Sequence, residues 1–165
     1  MHAVLQAELE GRVLLRIPRR VVPSLSRGVQ VVVDRGPAAA PFAADQKLLV
    51  DQIRAVGGKE IVSLVELDLS EDLDYFTKYR PLPGVVVALV SDLGITQVPF
   101  EQTPATEEWA NFIGRIRAGG NSVVVFVPYG PERWPAALRR QAALVQWDRR
   151  TTVQSVRRAL QRSGR

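Results

Sequence analysis

The sequence predicts an α/β fold in which a mainly parallel sheet of five to six strands is covered by helices on both faces. Short, mostly apolar runs at 29–33, 85–90 and 122–127 are typical of strands that are buried on both sides. Segments with helical periodicity separate these runs along the chain. This alternation favours right-handed crossovers and therefore a three-layer, Rossmann-like sandwich.

The first half of the core alternates apolar runs with one clear helix. That helix places Leu48, Leu49, Ile53 and Val56 on its apolar face. Two glycines end it, because glycine readily adopts the left-handed conformation. Prolines stop the acidic and aromatic segment that follows the second strand. The expected elements are a strand at 29–33, a helix at 44–56, a strand at 61–67, the acidic segment at 70–79 and a strand at 85–90.

The second half begins with a helix for which Thr103 is the expected cap and Pro104 the first residue. This helix carries an apolar stripe from Trp109 to Ile116 at the spacing of one helix face. The remaining expected elements are a strand at 122–127, a helix at 131–140, a strand at 143–147 and a helix at 152–162.

We expect a single domain, with a core over residues 28–165 and an extension over residues 1–27. The extension holds two short candidate strands within 3–17, and prolines make the connector after them rich in turns. The chain also lacks a long apolar stretch and a secretory leader pattern, so we expect a cytoplasmic protein that does not enter a membrane.

The composition of the 165 residues excludes several kinds of chemistry. The chain has no cysteine, and its single histidine is His2. This excludes thiol catalysis, cysteine zinc sites and any histidine-dependent triad that does not use His2. No G-x-G-x-x-G follows the first strand, so the usual dinucleotide signature is missing as well.

Two acidic residues lie where an open parallel sheet binds its ligands, beyond the carboxyl ends of the strands. Asp34 and Asp92 each directly follow a buried strand. Together they are candidate ligands for Mg²⁺ or Mn²⁺, with water in the remaining positions. The alternative is that each aspartate only shapes the turn that follows its strand.

The net charge of +5 is concentrated near the two ends of the chain. Six arginines and no carboxylate lie between Arg149 and Arg165. The arginine-rich face of the last predicted helix is either solvated or a docking surface for an acidic partner. Nucleic acid is the less favoured partner, because no exposed aromatic residues alternate with these arginines. Trp147, at the end of the last strand, is a candidate surface anchor.

Several segments resemble divergent von Willebrand factor A-like domains of bacterial NTPase-linked conflict and signalling systems. Residues 28–38 resemble the first strand and metal loop of that family, and residues 90–94 resemble its later acidic loop. Residues 125–129 and 146–150 are similar to the end of the same divergent group. The resemblance covers roughly residues 18–160.

The resemblance implies a protein-binding scaffold or adaptor that is not an enzyme. The family holds its metal with Asp-x-Ser-x-Ser, but Gly36 and Ala38 stand at the two serine positions. Asp34 and Asp92 are then the remnant of a lost metal site, and we expect no cofactor beyond weakly bound Mg²⁺ or Mn²⁺. The candidate partner contacts are Arg35, Gly36, Tyr129, Trp147, Arg149, Arg150, Arg157 and Arg158.

Two enzymatic or phosphotransfer functions remain as alternatives. Asp92 follows the third main strand, where receiver-like domains carry their phosphorylated aspartate. However, Pro128 and Asp148-Arg149 stand where such domains have a hydroxyl residue and a lysine. A metal-dependent phosphodiesterase or nuclease would use Asp34 and Asp92, although two-metal chemistry usually needs more carboxylates.

Overall fold

The computed structural model of the chain describes residues 27–58, 60–68, 74–96 and 104–162. The two strands predicted within 3–17 and the helix cap predicted at Thr103 lie outside these residues.

Five parallel strands form one sheet, which confirms the predicted α/β class. The order across the sheet is second, first, third, fourth and fifth strand. This order reverses direction between the first and third strands, which is the point of an open parallel sheet where ligands usually bind. The strands are β1 (Val29–Asp34), β2 (Val62–Leu67), β3 (Val86–Val90), β4 (Ser122–Val127) and β5 (Ala143–Gln146).

Helices cover both faces of the sheet, as the Rossmann-like prediction requires. The helices are α1 (Ala43–Gly57), α2 (Tyr75–Lys78), α3 (Thr106–Ala118), α4 (Ala136–Gln141) and α5 (Val153–Arg162). The core on one face includes residues of α1 and α5, and the core on the other includes residues of α2, α3 and α4. Among the described helices, none combines the length and the apolar character needed to cross a bilayer.

β1 and β3 are buried along their whole length, as their mostly apolar sequences predict. Val31 and Val33 of β1 contribute to the core beneath α1 and α5, whereas Val32 contributes to the opposite core. In that opposite core, the Phe76 ring centroid lies 4.7 Å from that of Trp109 and 4.6 Å from that of Phe112. Such aromatic pairs add about 0.5–1.5 kcal/mol each beyond the burial of their area.

The helix predicted at 131–140 is divided in two. A 3₁₀ turn spans Pro131–Arg133, and α4 begins only after Pro135. The residue before a proline is sterically excluded from helical geometry, and Trp134 accordingly has an extended ψ of 126°.

The predicted inward position of Leu48 is also wrong. Leu48 is 57% exposed, whereas Leu49 and Ile53, which were predicted on the same face, are buried. Val56, also predicted there, is partly buried and packs against the core, and Val50 is buried as well. The predicted apolar stripe of α1 is therefore correct at Leu49 and Ile53 and wrong at Leu48.

Candidate functional site

The loops that follow β1 and β3 are joined by a buried hydrogen bond at the carboxyl edge. The Ser91 hydroxyl donates to Asp34 Oδ2 at 2.7 Å, and the Gly36 N–H donates to Asp34 Oδ1 at 2.8 Å. Ser91 Oγ in turn accepts a hydrogen bond of 2.9 Å from the Leu93 N–H. Both oxygens of the Asp34 carboxylate therefore accept a hydrogen bond from the loops themselves.

The position of Asp34 perturbs its ionisation. Burial raises the pKa of the Asp34 carboxyl to about 6, because the charged form loses its hydration. The hydrogen bonds from Ser91 and Gly36 oppose this rise in pKa, and the nearby charges of Asp92 and Asp68 add to it. Asp34 is thus mostly ionised at neutral pH, at a cost in folding free energy.

Asp92 forms the second carboxylate turn at this edge. The Gly94 N–H donates to Asp92 Oδ1 at 3.0 Å, and the Thr96 N–H donates to Oδ2 at 2.9 Å. Burial raises the pKa of Asp92, while the hydrogen bonds from Thr96 and Gly94 and the charge of Arg133 lower it. Asp92 is 2% exposed, so its carboxylate organises the loop from within.

The turn that follows Asp92 requires a glycine. Gly94 has a φ of +65°, and a Cβ added there would lie 2.3 Å from the Pro104 carbonyl oxygen. The close approach of the two backbone segments holds the Asp92 loop against the start of α3. The loop shape is consequently fixed by backbone packing as well as by the carboxylate.

A polar network connects the β1 loop to α1 and β2. Gln46 Nε2 donates to the Asp34 carbonyl at 3.0 Å, and Arg35 Nη1 donates to Gln46 Oε1 at 3.0 Å. Arg35 Nη2 also pairs with Glu66 Oε1 at 2.6 Å. Gln46 is 2% exposed, whereas the Arg35 and Glu66 side chains are 33% and 54% exposed. The network runs from the protein interior to the surface.

Tyr129 and Arg133, from the loop after β4, form a stacked pair beside the Asp92 loop. The Arg133 guanidinium carbon lies 3.9 Å from the centroid of the Tyr129 ring. The Tyr129 hydroxyl shares a hydrogen bond of 2.7 Å with Thr96 Oγ1, and Trp134 Nε1 donates to the Tyr129 carbonyl at 2.7 Å. Tyr129 also meets Phe42 edge to face, with ring centroids 5.8 Å apart. Tyr129 is therefore held on several sides.

Trp147, the candidate surface anchor, is buried in the structure. Its side chain is 3% exposed and meets the Phe42 ring at 6.3 Å between centroids. Apolar contacts with the core beneath α1 and α5 bury it. Its Nε1 and the Oε1 of Gln52 are buried without a hydrogen-bond partner among the described residues. Trp147 is therefore a core residue and offers no surface to a partner.

The other predicted contact residues differ in accessibility. Gly36 is buried, whereas Arg35 and Tyr129 are partly exposed. The Arg149 side chain is 85% exposed and pairs with Asp45 at 3.3 Å. Arg150, Arg157 and Arg158 are also exposed.

The structure brings both predicted metal-ligand candidates, Asp34 and Asp92, to the same edge. Each of their carboxylate oxygens accepts a hydrogen bond from a loop group. Within the described ranges, no group of three or more histidine, cysteine, aspartate or glutamate side chains is arranged to hold a metal ion.

Sequence reasoning missed four residues that organise this edge: Ser91, Gln46, Thr96 and Arg133. The position of Ser91 directly after a buried strand is a usable signal of a loop-shaping role. Gln46, Thr96 and Arg133 carry no local signal, because their partners lie far away in the sequence or depend on the conformation of a loop.

Comparison with known proteins does not assign the chain to a family. No protein-family model matches it, and a search of curated proteins gives no match. Function must therefore be inferred from the fold and from the geometry of the carboxyl edge.

Proposed function

We propose that this domain is a non-enzymatic protein-interaction module, a scaffold or adaptor that binds its partner through the loops at the carboxyl edge. The observation that carries this proposal is the hydrogen bonding of Asp34 and Asp92. All four of their carboxylate oxygens accept hydrogen bonds from the loops that contain them or lie beside them. Both aspartates are thereby used to fix loop shape, and preformed loops lower the entropy cost of binding.

The rim above these carboxylates supplies the binding groups. Arg35, Tyr129, Arg133 and Arg149 are all partly or fully exposed there. Tyrosine and arginine are enriched among the residues that dominate binding energy at protein interfaces. Tyr129 is already oriented by its bond to Thr96, so little side-chain freedom is lost when it contacts a partner. Such a surface suits a protein partner with acidic groups around an apolar contact.

The sequence resemblance supports a biological setting for this module. Its similarity to divergent von Willebrand factor A-like domains favours a place in a bacterial conflict or signalling system that contains an NTPase. The glycine and alanine at the two serine positions of the family's metal loop favour binding without a metal ion. We infer a scaffold whose partner is a protein of the same system.

The geometry offers less support for the phosphoacceptor and hydrolase alternatives. Phosphorylation of Asp92 requires a carboxylate oxygen that a phosphodonor can reach, and Asp92 is 2% exposed with both oxygens accepting backbone N–H groups at 2.9–3.0 Å. Hydrolysis with a metal held by Asp34 and Asp92 requires an ion to reach two carboxylates that are only 4% and 2% exposed. Incubation with acetyl phosphate followed by intact-mass measurement tests the first alternative, and we expect no phosphoryl adduct.

Site-specific photo-crosslinking tests the proposal. A benzoylphenylalanine placed at Tyr129 is compared with one at Leu82. Leu82 is 58% exposed and precedes β3, at the amino-terminal ends of the strands and away from the carboxyl edge. We expect the probe at position 129 to capture one defined protein from cells of the source organism, and the probe at 82 not to capture it. Equal capture at both positions, or none, would contradict the proposed binding edge.

A further inference from the structure

We propose that the free edge of β5 is a second interaction surface and that it accepts an extended, acidic segment of a partner protein as an added strand. This inference rests on the proposed interaction function and adds a partner chemistry to it. The variants that test it change none of the rim residues Arg35, Tyr129, Arg133 and Arg149, so the two surfaces can be tested separately.

Among the described residues, no strand pairs with the outer side of β5. β5 is the last strand of the described sheet and pairs only with β4, in the register that places Val145 opposite Phe126. Trp147, directly after β5, donates its N–H to the Val127 carbonyl at 3.0 Å. Successive residues of a strand turn their backbone groups to opposite sides, so Leu144 and Gln146 direct their N–H and C=O groups away from β4. An extended peptide can pair with these groups.

A groove lies beside this backbone edge. It has a volume of about 480 Å³ and lies between β5 and α5. The side chains of β5 are partly rather than fully buried over Ala143–Val145. An added strand would place alternate side chains over this groove and bury its apolar lining. The groove is lined by Ala143, Leu144, Val145, Ser155, Arg158 and Ala159.

The charge around β5 identifies the partner chemistry. Residues 136–162, which include α4, β5 and α5, contain seven arginines and a single carboxylate, Asp148. Arg158 lines the groove itself, and its Nε is engaged only weakly, at 3.4 Å from the Gln154 carbonyl of the same helix. Arg140 and Arg157 are exposed on the two helices that flank the strand. This charge attracts an acidic segment and repels a basic one.

β2, the strand at the other end of the sheet, is flanked by acidic residues. Glu60, Glu66 and Asp68 lie in or beside β2. A second copy of this chain could therefore compete for the basic edge through its own β2. The occupant that we infer is a separate acidic segment, and self-association is an outcome that the experiment must detect.

The experiment uses the full chain and a fluorescein-labelled peptide of alternating glutamate and valine residues. A peptide of equal length with lysine in place of glutamate is the control. We expect saturable binding of the glutamate peptide by fluorescence anisotropy, weakened by added salt, and no binding of the lysine peptide. Equal binding of both peptides, or binding of neither, would overturn the proposal.

Two variants locate the binding. Gln146→Pro removes a backbone N–H that points away from β4 and would bond to the added strand. We expect this variant to weaken peptide binding about tenfold. The control variant Gln146→Ala retains the N–H and should retain the affinity. Arg158→Gln, at an exposed helix position that should not disturb folding, should weaken binding several-fold, and Arg54→Gln should not. Unchanged binding in both Gln146→Pro and Arg158→Gln would overturn the proposal.

Sedimentation of the free chain tests whether a second copy of the chain, and not a separate acidic segment, occupies the β5 edge. A concentration-dependent dimer that Gln146→Pro abolishes would assign the β5 edge to a second copy and overturn the proposal. A monomer supports it. If the probe at Tyr129 still captures its partner while the acidic peptide fails to bind, only this second surface is lost and the interaction function stands.

Discussion

The Ser91 hydroxyl donates a 2.7 Å hydrogen bond to the carboxylate of Asp34, and this contact joins two loops that are 57 residues apart in the sequence. The same hydroxyl oxygen accepts the Leu93 N–H. Ser91 is 1% exposed, so water cannot replace it at this position. The bond joins the loops after β1 and β3 at the point where the order of the strands reverses.

Ser91→Ala is therefore expected to destabilise the protein by about 2–3 kcal/mol, because a buried carboxylate and a buried N–H each lose a partner. For a domain of this size the melting temperature should fall by about 5–10 °C. The substitution should also raise the pKa of Asp34 further, since the Ser91 hydrogen bond lowers it. Ser63→Ala, at an exposed position of β2, is the matched control. Equal melting temperatures for Ser91→Ala and Ser63→Ala would refute the structural role of this bond.

The ionisation of Asp34 should make the protein less stable as pH rises. Burial raises the pKa of this carboxyl from 3.8 to about 6, so between these values the folded state binds more protons than the unfolded state. The free energy of unfolding must then fall with increasing pH, and the penalty is complete above about pH 6. It amounts to at most about 3 kcal/mol.

Asp34→Asn should remove this pH dependence. Urea unfolding of both proteins between about pH 4 and pH 7.5 measures the effect as the change in their stability difference. We expect Asp34→Asn to gain stability relative to the wild-type chain as pH rises. A stability difference that stays constant over this range would show that the pKa of Asp34 is not raised.

Gln46 and Glu66 should contribute unequally to stability, although both bind Arg35. Gln46 is 2% exposed and also donates to the Asp34 carbonyl, so Gln46→Leu should cost about 1–3 kcal/mol. Glu66 is 54% exposed, and water screens its ion pair, so Glu66→Gln should cost less than about 1 kcal/mol. Chemical denaturation of the two variants measures both costs. A larger loss for Glu66→Gln would reverse this ranking of the network.

The strands of the fold could be predicted closely, because burial on both faces requires continuous apolar runs. β1, β3 and β4 lie within one residue of their predicted bounds. The break at Trp134-Pro135 interrupts a continuous helical periodicity, because the Pro135 ring disfavours helical geometry at the preceding residue. Trp147 was misplaced because its burial depends on Phe42, a residue far away in the sequence.

The sequence located the edge that carries the candidate site but not the contacts within it. The positions of Asp34 and Asp92 after buried strands placed both at the carboxyl edge. Which atom each carboxylate would bind depends on the position of Ser91 and on the tight backbone at Gly94. Both are properties of the assembled loops, and one-dimensional spacing does not encode them.

The assignment of Asp34 and Asp92 to loop structure is tested most directly by thermal melts with and without millimolar Mn²⁺ or Mg²⁺, repeated on Asp34→Asn. We expect the same melting temperature under all ionic conditions for each protein. A cation at about 100 times its dissociation constant would add about 2.7 kcal/mol, or roughly 5–10 °C. A shift of that size in the wild-type chain that disappears in Asp34→Asn would contradict the assignment and return the edge to metal-dependent chemistry.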